Sequence, residues 1–116
     1  MLYDEVTEIF EKTILPVVTL KYGLDGYQLQ SLQVHEGGRN VIYICEKENA
    51  PAYVLRISYQ NDRSREDYLA EMEYVRYLYD NGASVANVIS SKEDNLVEEL
   101  DYNGQLLFIC LFEKAR

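Results

Sequence analysis

The chain has 116 residues, 47% of them apolar, with 11 tyrosines, no tryptophan and a net charge of −9. That length holds one domain with one core and is too short for two, and the apolar content excludes a disordered chain. The acidic balance argues against non-specific nucleic-acid binding, which needs cations to neutralise phosphates, and no Lys/Arg cluster offsets it locally.

Residues 2–15 read as a helix, because Leu2, Val6, Ile9, Phe10 and Ile14 recur at helical spacing with acids on the other faces. Pro16 is expected to end or kink it, Thr19 to Gly23 is ambiguous, and Leu24-Asp25-Gly26 reads as a turn. Three strands are expected next, at Tyr27–His35, Val41–Glu46 and Ala52–Ser58. Glu36-Gly37-Gly38-Arg39-Asn40 separates the first two, and a polar hairpin loop at 47–51 separates the last two. A helix follows to about Asn81, capped by Asn61, Asp62 or Ser64 and stopped near Gly82. Its apolar side carries Tyr68, Met72, Val75 and Tyr79, with Glu71 and Leu78 on the flank. Strand-like runs at 85–90, 95–100 and 105–112 complete the chain, and Asn103-Gly104 marks a tight hairpin between the last two. Mostly short connections predict an α+β domain. The expectation is a mostly antiparallel sheet of about five strands, with an N-terminal helix and one long helix packed on one side of it.

Cys45 and Cys110 lie in apolar runs without metal-ligand spacing and read as reduced, buried thiols. No segment has the ~18 consecutive apolar residues of a membrane span. The acidic start Met1-Leu2-Tyr3-Asp4-Glu5 lacks signal-peptide character, so no membrane association and a cytoplasmic location are expected. His35 reads as a solvated loop residue, since no nucleophile elbow accompanies it. Glu93-Asp94 and Glu98-Glu99 with Asp101 lack calcium-loop spacing and read as solvated charges.

Three features carry chemistry. Gly37 and Gly38, followed by Arg39 and Asn40, give a loop whose backbone N–H groups can approach phosphate oxygens, although a Gly-Gly pair alone is an ordinary turn and no P-loop spacing is present. Arg56 interrupts the apolar strand Tyr53-Val54-Leu55-Arg56-Ile57; alone, it reads equally as an edge arginine whose stem covers apolar surface. Glu71 sits beside the apolar face of the next helix and alone reads equally as a solvated acid. In this order, glycine loop, strand cation and helix anion form the ion-pair arrangement by which phosphoryl-transfer enzymes position nucleotide phosphates.

The stretches Glu36–Tyr43, Tyr53–Ser58, Leu69–Ala86 and Leu107–Ala115 resemble the aminoglycoside phosphotransferase family, which includes choline kinase-like enzymes on a protein-kinase-like fold. The resemblance implies an N-terminal helical extension over 1–26, a nucleotide-binding small lobe over 27–112 and the start of a hinge over 113–116. It implies that Gly37, Gly38, Arg39 and Asn40 cover the phosphates of ATP. Arg56 would contact those phosphates and pair with Glu71, standing where many members carry lysine. The backbone around Phe112, Glu113 and Lys114 would meet adenine.

The same resemblance places the catalytic residues and the magnesium ligands in a larger C-terminal lobe, so the chain is expected to be a small lobe cut at the hinge and inactive alone. Its partners would be ATP with magnesium and a small hydroxyl acceptor in the full enzyme; the acceptor and the choice of ATP or GTP stay open. An exposed apolar patch near Tyr43, Leu111 and Phe112 is expected where the second lobe docks, and it could drive dimers. The alternative is a stand-alone acidic interaction module without nucleotide.

Overall fold

The computed structural model describes residues 8, 10–32, 40–59, 64–102 and 104–114. Gly37, Gly38, Arg39, His35, Asn61 and Asp62 lie outside them.

Pro16 does not stop the first helix. A π-helical turn, Phe10–Ile14, leads directly into α1, Leu15–Tyr22. Pro16 falls in the first turn of α1, where the missing N–H leaves no intrahelical bond unmade. The ambiguous stretch from Thr19 is the end of α1 and its cap. Gly23, at φ 67°, takes the left-handed conformation that lets its N–H return to the carbonyl of Thr19.

The strands are β1 (Gln28–Leu32), β2 (Asn40–Glu46), β3 (Tyr53–Ser58), β4 (Val88–Ile89), β5 (Glu98–Tyr102) and β6 (Gln105–Glu113). They form one antiparallel sheet in the order β1-β2-β3-β6-β4. The long β6 pairs with β3 along one edge and shares its other edge between β5 and β4. Tyr102 lies opposite Gln105 across the tight hairpin, and Gly104 holds φ 84° there while its N–H donates to Asp101 Oδ1 at 2.8 Å. Between β3 and β4 runs α2, Arg65–Asp80. Ser64 is its cap: Asp67 N donates to Ser64 Oγ at 3.3 Å and Ser64 N donates to Asp67 Oδ2 at 3.0 Å, a reciprocal box.

The two helices lie on opposite faces of the sheet, not on one side. Val41, Tyr43, Cys45, Leu55, Ile57, Leu107, Ile109 and Leu111 pack with Ile14, Val18 and Tyr22 of the N-terminal helical segment. Phe108, Cys110 and Phe112, the alternate residues of β6, pack with Tyr68, Met72 and Val75 of α2. The period of two along a strand sends neighbouring residues to opposite faces, so the continuous apolar run of β6 feeds both cores.

Two sequence expectations are corrected here. Tyr43 and Leu111 are 0% and 1% exposed on the face that α1 covers, so they form no docking patch. Glu98 is not a solvated charge but is 5% exposed. Its Oε2 accepts from Ser91 Oγ at 2.6 Å and Asn95 Nδ2 at 3.1 Å, and its Oε1 lies 3.4 Å from Lys21 Nζ. Burial alone would raise this carboxyl, but the hydrogen bonds from Ser91 and Asn95 and the Lys21 ammonium outweigh it and hold the group below its ordinary range. Lys21 is on α1, so Glu98 ties that helix to the β5 hairpin. Tyr22 adds a second tie by donating to the carbonyl of Ile109 at 3.1 Å.

Candidate functional site

On β3 the odd-numbered Leu55 and Ile57 enter the α1 core, which sends Val54, Arg56 and Ser58 to the α2 face. The register sets three cross-strand rows there. Ile44, Val54, Phe112 and Val88 form an apolar row. Ile42, Arg56 and Cys110 form the next, and Asn40, Ser58 and Phe108 the third. Ile42, Ile44, Val54 and Phe112 are half-buried, so this face carries the partly open apolar surface that sequence reasoning placed around Tyr43 and Leu111.

Arg56 and Glu71 are brought together as a two-pronged pair. Nη1 donates to Glu71 Oε2 and Nη2 to Glu71 Oε1, each at 3.2 Å. The two side chains are 19% and 34% exposed, an intermediate environment in which neither the full cost of burial nor full water screening applies. Nη2 also contacts Cys110 Sγ at 3.9 Å. The guanidinium carbon lies 5.6 Å from the Phe112 ring centre and 6.0 Å from that of Tyr68. Burial pulls the Arg56 guanidinium down, and the hydrogen bonds to Glu71, with Cys110 beside it, more than restore it, so the group stays a fixed cation. A guanidinium has five N–H donors. Glu71 and Cys110 occupy three of them, leaving one on Nη1 and the buried Nε, which has no hydrogen-bond partner among the described residues. Arg56 can therefore hold Glu71 and still offer an N–H to a phosphate oxygen, where a lysine would have to share one point charge.

Asn40 opens β2 where the glycine segment ends, and its Oδ1 accepts from Ser58 Oγ at 2.5 Å. Asn40 thus lies on the same face as Arg56, one row along; the other loop residues Gly37, Gly38 and Arg39 are outside the described residues. At the other end of the face, Phe112 flanks Arg56. Glu113 N donates to the carbonyl of Asn87 at 2.9 Å and Lys114 N to that of Ala52 at 3.1 Å. Both N–H groups are engaged within the fold, so what these two residues offer a base edge is carbonyl oxygen. Sequence reasoning missed Tyr68, Cys110 and Ser58 as neighbours of the pair. Tyr68 falls three residues before Glu71 on the helix, and Ser58 falls two residues after Arg56 on the strand, so periodicity alone could have found both.

Two surface cavities, of about 440 Å³ by Lys47 and about 270 Å³ by Glu113 and Lys114, include neither Arg56 nor Glu71. Arg56 and Glu71 sit at the partly exposed junction of this sheet face and α2. Among the described residues no group of three or more His, Cys, Asp or Glu side chains could hold a metal ion, and no helix is long and apolar enough to cross a membrane.

No family model matches the sequence. Amicoumacin kinase of Bacillus subtilis (strain 168) is 33% identical over 115 residues, which is 97% of this chain and 33% of that protein. A solved amicoumacin kinase in complex with AMP-PNP, calcium and "Ami" superposes with a TM-score of 0.77 at 27% identity, over 98% of this chain and 34% of the other. The chain is a distant homologue of the aminoglycoside-phosphotransferase-like kinases. It spans about a third of their length and matches their N-terminal region. Two further structures share the fold. A microcompartment-associated aminopropanol kinase gives a TM-score of 0.74 at 19% identity, over 89% of this chain and 31% of that one. A spectinomycin phosphotransferase in complex with ADP and spectinomycin gives 0.67 at 18%, over 90% and 29%.

Proposed function

We propose that the chain is the N-terminal, ATP-binding lobe of a small-molecule phosphotransferase that moves the γ-phosphoryl group of ATP to a substrate hydroxyl. The observation that carries this reading is the two-pronged Arg56–Glu71 pair, which fixes a cation on a partly exposed sheet face. The face is graded. Ile44, Val54 and Phe112 offer an apolar floor for a base, Arg56 follows as the phosphate cation, and Asn40 stands where the glycine segment rejoins the sheet. With a net charge of −9, a polyanion must be held by such local donors rather than by the overall field.

In this reading residues 27–112 are the lobe, 1–26 an extension on its back face and 113–116 the start of the link to a second lobe. In the same reading the base, the magnesium ligands and the acceptor site would be supplied from outside this chain, which spans about a third of the relatives' length. The relatives named above act on chemically unlike acceptors, amicoumacin, aminopropanol and spectinomycin, while sharing this fold. That supports placing acceptor choice elsewhere. Half of the electrostatic clamp gives weak binding and no phosphoryl transfer.

The test is a nuclear magnetic resonance titration of the chain with magnesium-ATP into the millimolar range. The expected result is saturable shifts at Asn40, Val54, Arg56 and Phe112 that are lost in Arg56→Ala. Tight binding that Arg56→Ala leaves unchanged would overturn the assignment.

A further inference from the structure

Ser58 is 1% exposed, and a hydroxyl that deep needs a partner. Its partner is the side-chain oxygen of Asn40, directly opposite on β2, at 2.5 Å. Among the described residues the other end of that amide, Nδ2 with its two hydrogens, carries no hydrogen bond. Rotation about the last side-chain bond of an asparagine is soft and nearly two-fold, so an untethered amide presents oxygen or nitrogen with little preference. A phosphate oxygen discriminates sharply between the two, since it accepts from N–H and is repelled by C=O. The Asn40 and Arg56 side chains are diagonal neighbours across the β2–β3 pair, with roughly 7–8 Å between such positions. That separation suits neighbouring phosphates of one polyphosphate chain.

We propose that Ser58 is a positioning residue for phosphate recognition. By donating to Oδ1 it anchors the Asn40 amide with its NH2 turned outward, as a neutral donor beside the Arg56 cation for the phosphate oxygens of a nucleoside triphosphate. This rests on the nucleotide reading of the face and adds a residue to it. Ser58 never touches the ligand. It sets which end of Asn40 does.

The experiment titrates the chain and its variants with magnesium-ATP and, separately, with adenosine, following amide and side-chain resonances. Ser58→Ala should weaken ATP binding about twofold, because the freed amide still presents its NH2 about half of the time, and leave adenosine binding unchanged. Ser58→Thr keeps the hydroxyl and should restore ATP binding. Asn40→Ala, which removes the donor itself, should cost more, about fivefold, the size of one ordinary net hydrogen bond, and the double variant no more than Asn40→Ala alone, because Ser58 acts only through that amide. A simple packing defect at Ser58 would weaken both ligands and would add to Asn40→Ala.

If Arg56→Ala weakens ATP binding while Ser58→Ala does not, the Ser58 assignment is overturned and the nucleotide reading stands. If ATP does not bind, or binds without regard to Arg56, both fall together.

Discussion

Replacing Glu71 with glutamine removes one charge and keeps the shape. It leaves the Arg56 guanidinium, only 19% exposed, facing a neutral amide whose NH2 end repels it. Removing one partner of a fully buried pair costs about 3–5 kcal/mol, and a solvated pair is worth about 0–1 kcal/mol. Glu71 is 34% exposed, so water recovers part of the loss and the expected cost is about 2 kcal/mol. For a domain of this size that lowers the melting temperature by roughly 8 °C. The assay is urea unfolding followed by circular dichroism, run as a cycle with Arg56→Met, which keeps most of the stem against Tyr68 and Phe112. The double variant should be less damaged than the sum of the singles by about 1.5 kcal/mol, and this coupling should survive roughly 1 M salt because the pair is partly sheltered. Additivity within about 0.3 kcal/mol would show that the pair holds nothing, and the argument from its geometry would fail.

Glu98→Gln should cost about 2 kcal/mol at neutral pH by breaking the charge link to Lys21 inside the fold. Because the folded carboxyl titrates below its ordinary value of 4.5, its contribution is complete above that pH. It disappears as the pH falls through the lowered folded value, so stability curves of wild type and variant should converge in acid and stay apart at neutral pH. Gly23→Ala should cost about 1 kcal/mol through the left-handed backbone at φ 67°. The new Cβ would meet only the end of the Lys92 side chain, at 2.9 Å, which can swing aside; a melting temperature equal to wild type would contradict the cap. Burial pushes the Cys45 thiol up to about 12, so a disulfide reagent should label it only as fast as the chain unfolds, with a rate that rises in urea.

Much of this architecture was legible because period and punctuation agreed. A cluster of three candidate caps, Asn61, Asp62 and Ser64, announced α2, Asn103-Gly104 announced the last hairpin, and a lone cation in an apolar strand announced a partner on the following helix. The opposite placement of the two helices was written in β6 as well. Leu106 to Phe112 is an unbroken apolar run, and such a run has two buried faces. Counting short connections pointed to one covered face only. Glu98 was illegible for a different reason. Its acidic neighbours Glu99 and Asp101 look alike in sequence, while the cation that meets it is 77 positions away, at Lys21 on α1 (98 − 21). Long-range pairing of one charge among several leaves no local period to read. The last strand was read correctly over 105–112, and the structure carries it on to Glu113, but the commitment of the Glu113 and Lys114 N–H groups to Asn87 and Ala52 depends on how three strands meet, which no spacing encodes.

The chemical sense of an arginine at position 56 follows from how it is held. Phe112 and Tyr68 flank the guanidinium, Cys110 touches one nitrogen, and Glu71 takes both prongs. Every one of these groups belongs to the sheet or to α2, so the cation is ordered by folding and its rotamer entropy is spent before any ligand arrives. A flexible lysine would lose that entropy on binding, up to about 2 kcal/mol for such a side chain. The arrangement also divides labour: the carboxylate neutralises and aims the fork, and one Nη1 hydrogen is left over among the described contacts. Rigidity there has a consequence for the whole site. In the nucleotide reading proposed above, an Arg56 that cannot follow a phosphate needs the phosphate brought to it, and that would fall to residues on the strand end beside the glycine segment. Asn40, hydrogen-bonded to Ser58, is the described residue in that position.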